Sequence, residues 1–587
     1  MKYSRIPLAQ AICTECKNFN IERIVISPGS RNAPLTLSFS ADPFFDCYSI
    51  VDERSAAFFA LGMAQQTKKP VAIVCTSGSA LLNYYPAIVE AYYAQVPLVV
   101  ISADRPSYLI DKGDGQTIRQ DGVFFNHIGY QVNLIQDCSH ASSKWQKGLG
   151  ITLSSEFEIE QEQESILHSN RRLIREALES ALESQWPVHL NAPFEEPLYQ
   201  LEEVIDRRTP IKIKTKPTLE YKWDELQQIW DHSKKTLIII GQCSFDQLSD
   251  NFINRLGDSD AFLVMTETTS NAHHSNFIER IDSLLVPLEK KNEPQMWLDL
   301  QPDLVITIGG AIVSKKIKQF LRTYAPKAHW HWGINKANDT FFKLTQHLNL
   351  SVEELLSKFL SNSKSKVESA YKSQWTETYK RILSGAEDFI QTLPFSDLQV
   401  HVAFSKLDLK EVLVHYSNSA SIRYAQLFPN LTCQQLYCNR GASGIDGSTS
   451  TAVGASVVFK GMTVLVTGDL SFLYDSNAFW NSYIHPNFRV LLINNSGGGI
   501  FRILPTSIDD KNFETYFETP HNVNIKAFCV AYGISYSTAD DQDSLDREFS
   551  GFLKPSTSAK VLEVKTPRLI NDKVLGDYFA YLTSQIS

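Results

Sequence analysis

The sequence has no long uninterrupted apolar run and no excess of positive charge. No stretch approaches the roughly 18 consecutive apolar residues that a membrane-spanning helix needs, and the N-terminus has no apolar signal core. We therefore expect a cytoplasmic protein with no membrane partner. The formal net charge of -9 argues against a broad nucleic-acid-binding surface.

Cysteine is scarce, and its pattern does not indicate a disulfide framework. The nine cysteines are an odd number and are scattered along the chain, one of them inside the apolar run VAIVC. We expect reduced thiols in a reducing compartment. Cys13 and Cys16 have the spacing of a redox or zinc half-site. Because no second such pair and no histidine pair accompanies them, we interpret them as two cysteines of a helix core.

Length and patterning predict several α/β domains. The 587 residues are 43% hydrophobic and 21% charged, which is typical of a globular protein with more than one core. Apolar, β-branched runs alternate with helix-like segments, as in parallel sheets that are covered on both faces. We predict three domains, over residues 1–190, 191–375 and 376–587, with linkers near 203–222 and 360–400. The clearest predicted strands are IERIVIS, DCYSIVD, VAIVC, VPLVVIS, TLIIIG, AFLVM, LVITIGG, AHWHWGI, EVLVH, MTVLVT, FRVLLIN and AKVLEV.

The strongest chemical signal is a pair of polar turns in the third predicted domain. Asp469 follows the strand MTVLVT, and Asn495 follows FRVLLIN after an interval that we expect one crossover helix (residues 473–485) to fill. Both side chains would then lie at the carboxyl end of the sheet, where open α/β sheets bind ligands. A carboxylate and an amide oxygen suit Mg²⁺ or Mn²⁺. Gly497–Gly499 would let a ligand approach the backbone. The alternative is two ordinary tight turns.

This pattern resembles the signature of thiamine diphosphate enzymes, in which a GDG-like start and an Asn-Asn end are separated by a similar interval. Gly468 and Asp469 match the start, whereas Leu470 departs from its third glycine. The resemblance implies thiamine diphosphate bound through a divalent metal. Its ligands would be Asp469, Asn495 and a backbone carbonyl, here that of Gly497. It also implies three doubly wound parallel-sheet domains of the thiamine diphosphate-binding type.

Enzymes with this signature also need a glutamate from another domain, usually in a neighbouring subunit. This glutamate forms a hydrogen bond with a nitrogen of the cofactor's pyrimidine ring. Glu53, in VDERSAAFFALGMA, matches that position. Taken alone, it could be an acid favoured at a helix N-terminus. A homodimer or homotetramer is implied, and the sequence does not decide between them.

Longer segments are similar to one family, the 2-succinyl-5-enolpyruvyl-6-hydroxy-3-cyclohexene-1-carboxylate synthases of menaquinone biosynthesis. The resemblance implies decarboxylation of 2-oxoglutarate and 1,4-addition of the succinyl carbanion equivalent to isochorismate. Both substrates carry carboxylates, which arginine recognises well. The matching segments are SPGSRNAPLTLSF, DERSAAFFALGMA, TSGSALLNYYPAIVEA, ISADRP, GQTIRQ, NRGASGIDGSTSTAVG, GDLSFLYDSNAF and NNSGGGIF.

The family resemblance also implies roles for individual residues. Gln116 would lie near the reacting carbons, and Ile445 matches the bulky residue that bends the cofactor. Glu53, Gln116 and Ser419 are the implied catalytic residues. The implied substrate-binding residues are Ser30, Arg31, Arg105, Gln116, Lys315, Ser419, Arg423 and Arg440.

Three points stay open. Gly115 stands where we expect the family to carry asparagine, and Asp114, water or a shifted backbone could substitute for that side chain. Lys316 or Lys318 could serve in place of Lys315. A relative of acetolactate synthase or another 2-oxo acid decarboxylase would share Glu53 and the metal site, and a non-catalytic protein could retain the fold.

Overall fold

The computed structural model describes residues 2–203, 220–334, 336–362, 370–428, 433, 435–503 and 510–586. The described part of the chain divides into two compact units. Unit 1 comprises the described residues of Met1–Thr215 together with Gly441–Lys460 and Tyr474–His485. Unit 2 comprises those of Lys216–Arg440, Gly461–Leu473 and Pro486–Ser587. Most of the first predicted linker, residues 204–219, lies outside the described residues.

The strands fall into three groups along the chain. In chain order they are β1 Lys2–Ser4, β2 Arg23–Ile26, β3 Asp46–Ser49, β4 Val71–Cys75, β5 Leu98–Asp104, β6 Tyr130–Asn133, β7 Val188–Pro193, β8 Leu201–Glu203, β9 Thr236–Ile240, β10 Leu263–Thr266, β11 Leu304–Ile308, β12 Ala328–Trp332, β13 Leu344–Leu348, β14 Val412–Tyr416, β15 Gln435–Cys438, β16 Met462–Gly468, β17 Phe488–Asn494, β18 Ser535–Ala539 and β19 Lys560–Lys565.

Helices lie between most of these strands. They are α1 Pro7–Asn18, α2 Ala33–Ala41, α3 Glu53–Thr67, α4 Ser79–Asn83, α5 Tyr85–Ala94, α6 Ser142–Leu149, α7 Glu156–Ser184, α8 Trp223–His232, α9 Asp250–Asp258, α10 Ile281–Lys291, α11 Pro294–Leu300, α12 Lys315–Thr323, α13 Val352–Asn362, α14 Ala370–Ile390, α15 Asp397–Ser405, α16 Ala420–Leu427, α17 Ser448–Val458, α18 Asp469–Tyr474, α19 Asp510–Phe513, α20 Ile525–Ala531, α21 Gln542–Phe552 and α22 Asn571–Ser584. Within the described residues, no helix is long and apolar enough to cross a membrane.

Unit 1 is built on a parallel sheet with the strand order β3-β2-β4-β5-β7-β6. The β-branched run of β4 is buried along its whole length because helices cover both faces of the sheet. Cys13 and Cys16 are fully buried in the core beneath α1, and burial raises the pKa of both thiols. The helix-core interpretation of this pair is therefore confirmed.

Two glycines let α3 and α17 pack closely in unit 1. A Cβ atom on Gly62 would lie 1.9 Å from the Thr451 carbonyl oxygen, and one on Gly454 would lie 2.0 Å from that of Phe59. Neither helix could approach the other so closely with a larger residue at these positions. The contact fixes the helix that begins at Glu53 against the helix that follows Ile445.

Unit 2 contains two further parallel sheets, with the orders β10-β9-β11-β12-β13 and β15-β14-β16-β17-β19-β18. All three doubly wound sheets of the predicted α/β class are therefore present. Val313, just before α12, packs in the core of the second of these sheets with Tyr416 and Cys438. This contact brings the start of α12 to the strands β14 and β15.

Two local predictions are wrong. Residues 473–485 do not form one crossover helix: α18 ends at Tyr474, and a 3₁₀ turn follows at Ser476–Phe479. The buried Asp475 accepts hydrogen bonds from the N–H and hydroxyl of Ser450, which anchors the chain where a helix would have continued. The second predicted linker is mostly the helix α14, whose Trp375 is buried in a core, while residues 363–369 lie outside the described part.

The predicted domain boundaries fall within regular elements. Residue 190 lies in β7 and residue 375 lies in α14. The three-domain division stays a proposal.

Candidate active site

Glu53 is the first residue of α3 at the carboxyl edge of the unit 1 sheet. Asp52 caps this helix by accepting a 3.0 Å hydrogen bond from the Ser55 N–H, and its other oxygen accepts from Asn477 at 2.6 Å. Glu53 itself is half-buried and makes no hydrogen bond or ion pair with any residue that the structure describes. Its backbone is therefore held firmly while its carboxyl group is left for a ligand.

Arg31 and Arg105 lie at the same edge of this sheet, after β2 and β5. Arg31 is buried and donates to the Phe194 carbonyl at 2.9 Å, and its other amino group lies 3.3 Å from Glu196. Arg105 donates to the Gly115 carbonyl at 2.8 Å. Ser30 is exposed beside Arg31. Both guanidinium groups are thus oriented by backbone carbonyls, and Arg31 is already partly satisfied within the protein.

At Gly115, where the sequence lacks the expected asparagine, the backbone carbonyl accepts two hydrogen bonds. The carbonyl of Gly115 accepts from Arg105 and also from the Thr117 hydroxyl at 3.3 Å. Gln116 follows in a left-handed conformation, with φ of 55°. Such a conformation is uncommon for a non-glycine residue and is found disproportionately at functional sites. Which of Asp114, water or the backbone takes the place of the expected side chain stays open.

A buried polar network fixes the loop that carries Gln116. The Gln120 side chain accepts from the Gly78 N–H at 2.9 Å and donates to Asn191 at 2.7 Å. Asn191 in turn donates to Asp104 at 2.8 Å, and Asp104 accepts from the Arg105 N–H at 2.7 Å. Burial raises the pKa of Asp104 to about 6. The network joins the turn after β4, together with β5 and β7, to the loop, so that Gln116 and Arg105 are positioned together.

Asp469 and Asn495 follow the adjacent strands β16 and β17 in unit 2, as predicted. Gly468 lies opposite Ile493 in the parallel register. One oxygen of Asp469 accepts the Leu470 N–H at 2.8 Å, and the other accepts the Gly497 N–H at 2.7 Å. The structure therefore brings Asp469 to the glycine turn whose carbonyl is the expected third ligand.

The donor groups of this site fit a divalent metal. The Asn495 amide nitrogen donates to Asp397 at 2.8 Å, which fixes the orientation of the amide. Its oxygen is buried and makes no hydrogen bond to the described residues. A buried carbonyl oxygen without a donor is costly unless a ligand satisfies it. An oriented amide oxygen near a carboxylate is the donor set that Mg²⁺ or Mn²⁺ requires.

Sequence reasoning missed two residues at this site. His521 lies 3.0 Å from Asp469, and this hydrogen bond raises the pKa of the imidazole. Asp397, at the start of α15, is fully buried, and burial raises its pKa to about 6. Neither follows a strand or belongs to a recognisable motif, so only the folded chain shows that they contact the predicted ligands.

Ser419, Arg423 and Arg440 come together at the ends of β14 and β15 in unit 2. The buried Asn418 accepts from Arg440 at 2.7 Å, and Arg423 donates to the Ser419 carbonyl at 2.9 Å. Partial desolvation and the positive charge of Arg440 lower the pKa of Arg423. Ser419 has φ of 71° and ψ of -128°, a strained conformation for serine. The charge of Asp282 opposes the lowering of the Arg423 pKa, but within the described residues neither arginine forms an ion pair.

The three lysines of α12 differ in their surroundings. Lys315 is exposed, and Lys316 forms an ion pair with Glu289. Lys318 is half-buried without an ion pair to any described residue. Burial lowers the pKa of Lys318, the charge of Glu267 opposes that shift, and the charge of Arg440 adds to it. The charge of Lys318 is therefore coupled to that of Arg440.

Comparison with known proteins agrees with this arrangement. Residues 6–123 match the family model of the thiamine pyrophosphate enzyme N-terminal TPP binding domain. Residues 419–564 match that of the thiamine pyrophosphate enzyme C-terminal TPP binding domain. The first match contains Glu53, and the second contains Asp469 and Asn495.

Relatives that match over the full length identify the family more closely. The chain is 46% identical to a 2-succinyl-5-enolpyruvyl-6-hydroxy-3-cyclohexene-1-carboxylate synthase of Flavobacterium psychrophilum, over 99% of this chain and 100% of the relative. It is 46% identical to the synthase of Christiangramia forsetii, over all of both chains. It is 34% identical to that of Porphyromonas gingivalis, over 96% of this chain and 95% of the relative. The chain therefore belongs to the 2-succinyl-5-enolpyruvyl-6-hydroxy-3-cyclohexene-1-carboxylate synthase family.

Proposed function

We propose that the protein decarboxylates 2-oxoglutarate and adds the remaining four-carbon unit to isochorismate, in a thiamine diphosphate-dependent transferase reaction. The observation that carries the proposal lies in unit 2. One sheet edge presents Asp469 and Asn495, the proposed metal ligands, after β16 and β17. The same edge presents Arg423 and Arg440, which form no ion pair with a described residue, after β14 and β15. A metal-bound diphosphate and carboxylate-bearing substrates need such a set of groups.

Asp469, Asn495 and the Gly497 carbonyl would hold Mg²⁺ or Mn²⁺, and through it the diphosphate, with Gly468 and Leu470 alongside. When bound, thiamine diphosphate supplies an electron sink that permits loss of CO₂ from a 2-oxo acid. Glu53 would share a proton with a pyrimidine ring nitrogen. The Glu53 carboxyl group lies at the capped start of α3 and forms no hydrogen bond or ion pair with any residue that the structure describes, which supports that role.

The substrate carboxylates would be bound by arginine. Arg31 and Arg105, with Ser30, would contact isochorismate in unit 1, and Arg423 and Arg440 would neutralise carboxylates beside Ser419 in unit 2. Gln116 would donate or accept a hydrogen bond near the reacting carbons, and its left-handed backbone conformation is of a kind that clusters at functional sites. Ile445, half-buried just before α17, would press on the cofactor.

Lys315 stays a proposed isochorismate contact, and we add Lys318 to the substrate set. The charge of Lys318 is coupled to that of Arg440, whereas Lys316 is occupied by Glu289. Replacing Lys318 with Met should raise the KM of one carboxylate substrate more than Lys316→Met does. Equal effects of the two substitutions would remove Lys318 from the site.

The assembly and the location of the protein are also proposals. A homodimer or homotetramer would fit the family, in which the glutamate usually reaches the cofactor of a neighbouring subunit. Cytoplasmic location is favoured by the nine cysteines, all of which are free thiols. Light scattering of the purified protein would decide the number of subunits.

Mass spectrometry of a defined mixture tests the reaction. The protein is incubated with 2-oxoglutarate, isochorismate, thiamine diphosphate and Mg²⁺. We expect the mass of 2-succinyl-5-enolpyruvyl-6-hydroxy-3-cyclohexene-1-carboxylate, and no product when either substrate is omitted. Turnover of pyruvate without turnover of 2-oxoglutarate would instead favour an acetolactate synthase or decarboxylase relative.

A further inference from the structure

Glu90 is a buried acid of α5 that binds three consecutive backbone N–H groups. Only 2% of the residue is exposed. One carboxylate oxygen accepts from Gly441 at 2.6 Å, and the other accepts from Ala442 at 2.7 Å and Ser443 at 3.2 Å. Hydrogen bonds to a carboxylate are shorter and stronger than those between neutral groups. The carboxylate thus holds a stretch of chain that lacks regular secondary structure.

The loop held by Glu90 cannot move away from α5 or closer to it without cost. A Cβ atom on Gly441 would lie 2.3 Å from the Glu90 carbonyl oxygen, so the loop rests directly on the helix backbone. Ser443 has φ of 64°, a left-handed conformation that a non-glycine residue adopts only when its surroundings impose it. Without Glu90, the three donor N–H groups of the loop would need water as their acceptor. The buried position of Glu90 does not favour water there.

Ile445 lies between this loop and α17. The loop ends at Gly444, and α17 begins at Ser448 and packs on α3, the helix that begins at Glu53. Ile445 is therefore held from both sides in unit 1, by the Glu90 clamp before it and by the α17–α3 contact after it. Nothing else among the described residues gives the 441–443 N–H groups a carboxylate acceptor.

We propose that Glu90 is a positioning residue, which fixes the 441–444 loop and thereby places Ile445 for the cofactor. The proposal rests on the role given to Ile445 in the proposed function. Glu90 would not touch cofactor or substrate. Its effect would pass through the loop backbone, so that its loss loosens the cofactor site without altering the metal ligands.

Hydrogen exchange of the cofactor-free protein tests the clamp directly. Glu90→Ala removes all three acceptor contacts, and Glu90→Gln places an N–H₂ group against N–H donors. Both variants should speed amide exchange across residues 441–445 by roughly tenfold or more, because hydrogen bonds to a charged acceptor are lost. Affinity for thiamine diphosphate with Mg²⁺, measured by calorimetry, should fall roughly tenfold. The kcat should fall more than the KM for 2-oxoglutarate rises.

Glu15→Gln is the matched control. Glu15 is as buried as Glu90 and accepts from Arg175 at 2.9 Å, but it lies in α1 away from the loop. This control should lower the midpoint of thermal unfolding while leaving exchange at 441–445 and cofactor affinity unchanged. Equal exchange and affinity changes in the Glu15 and Glu90 variants would show a general loss of stability and overturn the proposal.

Gly441→Ala gives a second route to the same loop should Glu90→Ala fail to fold. Its methyl group would push the loop off α5 while Glu90 stays intact, and it should reproduce the exchange and affinity changes. Wild-type exchange and affinity in both Glu90→Gln and Gly441→Ala would refute the clamp. If the wild-type protein did not bind thiamine diphosphate at all, the proposed function would fail, whereas the exchange result would still report on Glu90.

Discussion

Single residues of the candidate site are left with atoms that the described part of the chain does not satisfy. The Asn495 amide oxygen is buried without a donor among the described residues, and the Glu53 carboxyl has no partner among them. The orientation of the Asn495 amide is nevertheless fixed by Asp397, and the backbone at Glu53 is held by the Asp52 cap. Preorganised but unsatisfied groups of this kind are what a binding site needs.

Gly115→Asn tests how the missing asparagine is compensated. A Cβ atom at Gly115 meets nothing within 4 Å, and the Gly115 carbonyl that binds Arg105 is unaffected by a side chain. We expect the KM for isochorismate to change by less than roughly tenfold, or about 1.4 kcal/mol. Gly78→Asn is the contrasting control, for which we expect a severe loss. Gly78 has φ of 86°, and its Cβ would lie 3.1 Å from Gln116. A severe loss in Gly115→Asn would contradict this view.

The sequence predicted the positions of the proposed metal ligands better than the surroundings of the proposed substrate contacts. Asp469 and Asn495 could be found because each directly follows a strand that is recognisable from its apolar run. Arg31 was also found, but its carbonyl partner lies 163 residues further along the chain, so its burial could not be predicted. His521 contacts Asp469 from 52 residues away for the same reason.

At the scale of elements, the strands that sequence patterning missed lie mostly at sheet edges. β6, β13, β15 and β18 are all terminal strands of their sheets, and β6, β13 and β18 are only partly buried. An edge strand needs fewer apolar residues and carries a weaker signal. β7 was missed for another reason, because its His189 and Asn191 serve the buried polar network instead of an apolar core.

Gly454→Ala tests the α3–α17 contact. The added methyl would lie 2.0 Å from the Phe59 carbonyl oxygen, which neither helix backbone can avoid without shifting. We expect the free energy of unfolding to fall by about 1–3 kcal/mol. Gly576→Ala, in α22 with nothing near its Cβ, is the matched control and should be neutral or stabilise the protein by about 0.5–1 kcal/mol. Urea unfolding measures the free energy of unfolding of both variants. A similar loss of this free energy in both would argue against close helix packing as the cause.

The buried histidines of the sheet β10-β9-β11-β12-β13 predict a dependence of stability on pH. Burial, together with the charges of His347 and His329, lowers the pKa of His331 to about 3. Below about pH 6.5 the unfolded chain takes up a proton that folded His331 does not, so wild-type stability falls as the pH falls. Relative to the His331→Asn variant, the free energy of unfolding of the wild-type protein should fall by about 1 kcal/mol for each pH unit as the pH is lowered from 6 to 4.

Tryptophan emission during urea unfolding measures this difference, since Trp330 and Trp332 flank His331 in the same strand. Substitution of the exposed His168 by Asn is the control and should give no such trend. A stability difference between wild type and His331→Asn that stays constant from pH 7 to pH 4 would show that His331 does not titrate differently on folding.

For the whole molecule, the residues proposed for the site are distributed over both compact units. Unit 1 contains Glu53 and Ile445, and unit 2 contains Asp469, Asn495 and Arg440. Patterning predicted three α/β sheets because each has central strands rich in β-branched residues. It could not predict that residues 441–460 and 474–485 belong to unit 1, because that assignment depends on the close contact of α3 with α17.

Deuterium exchange at carbon C2 of the thiazolium ring tests the central claim most directly, that Glu53 and the metal ligands act on one bound cofactor. With Mg²⁺, wild-type protein should exchange this proton rapidly, as measured by NMR after quenching. Glu53→Gln should still bind thiamine diphosphate but exchange at least about a hundredfold more slowly, since positioned proton transfer contributes that much or more. Asp469→Ala should lose the binding itself. Exchange at the wild-type rate in Glu53→Gln with cofactor bound would contradict the account.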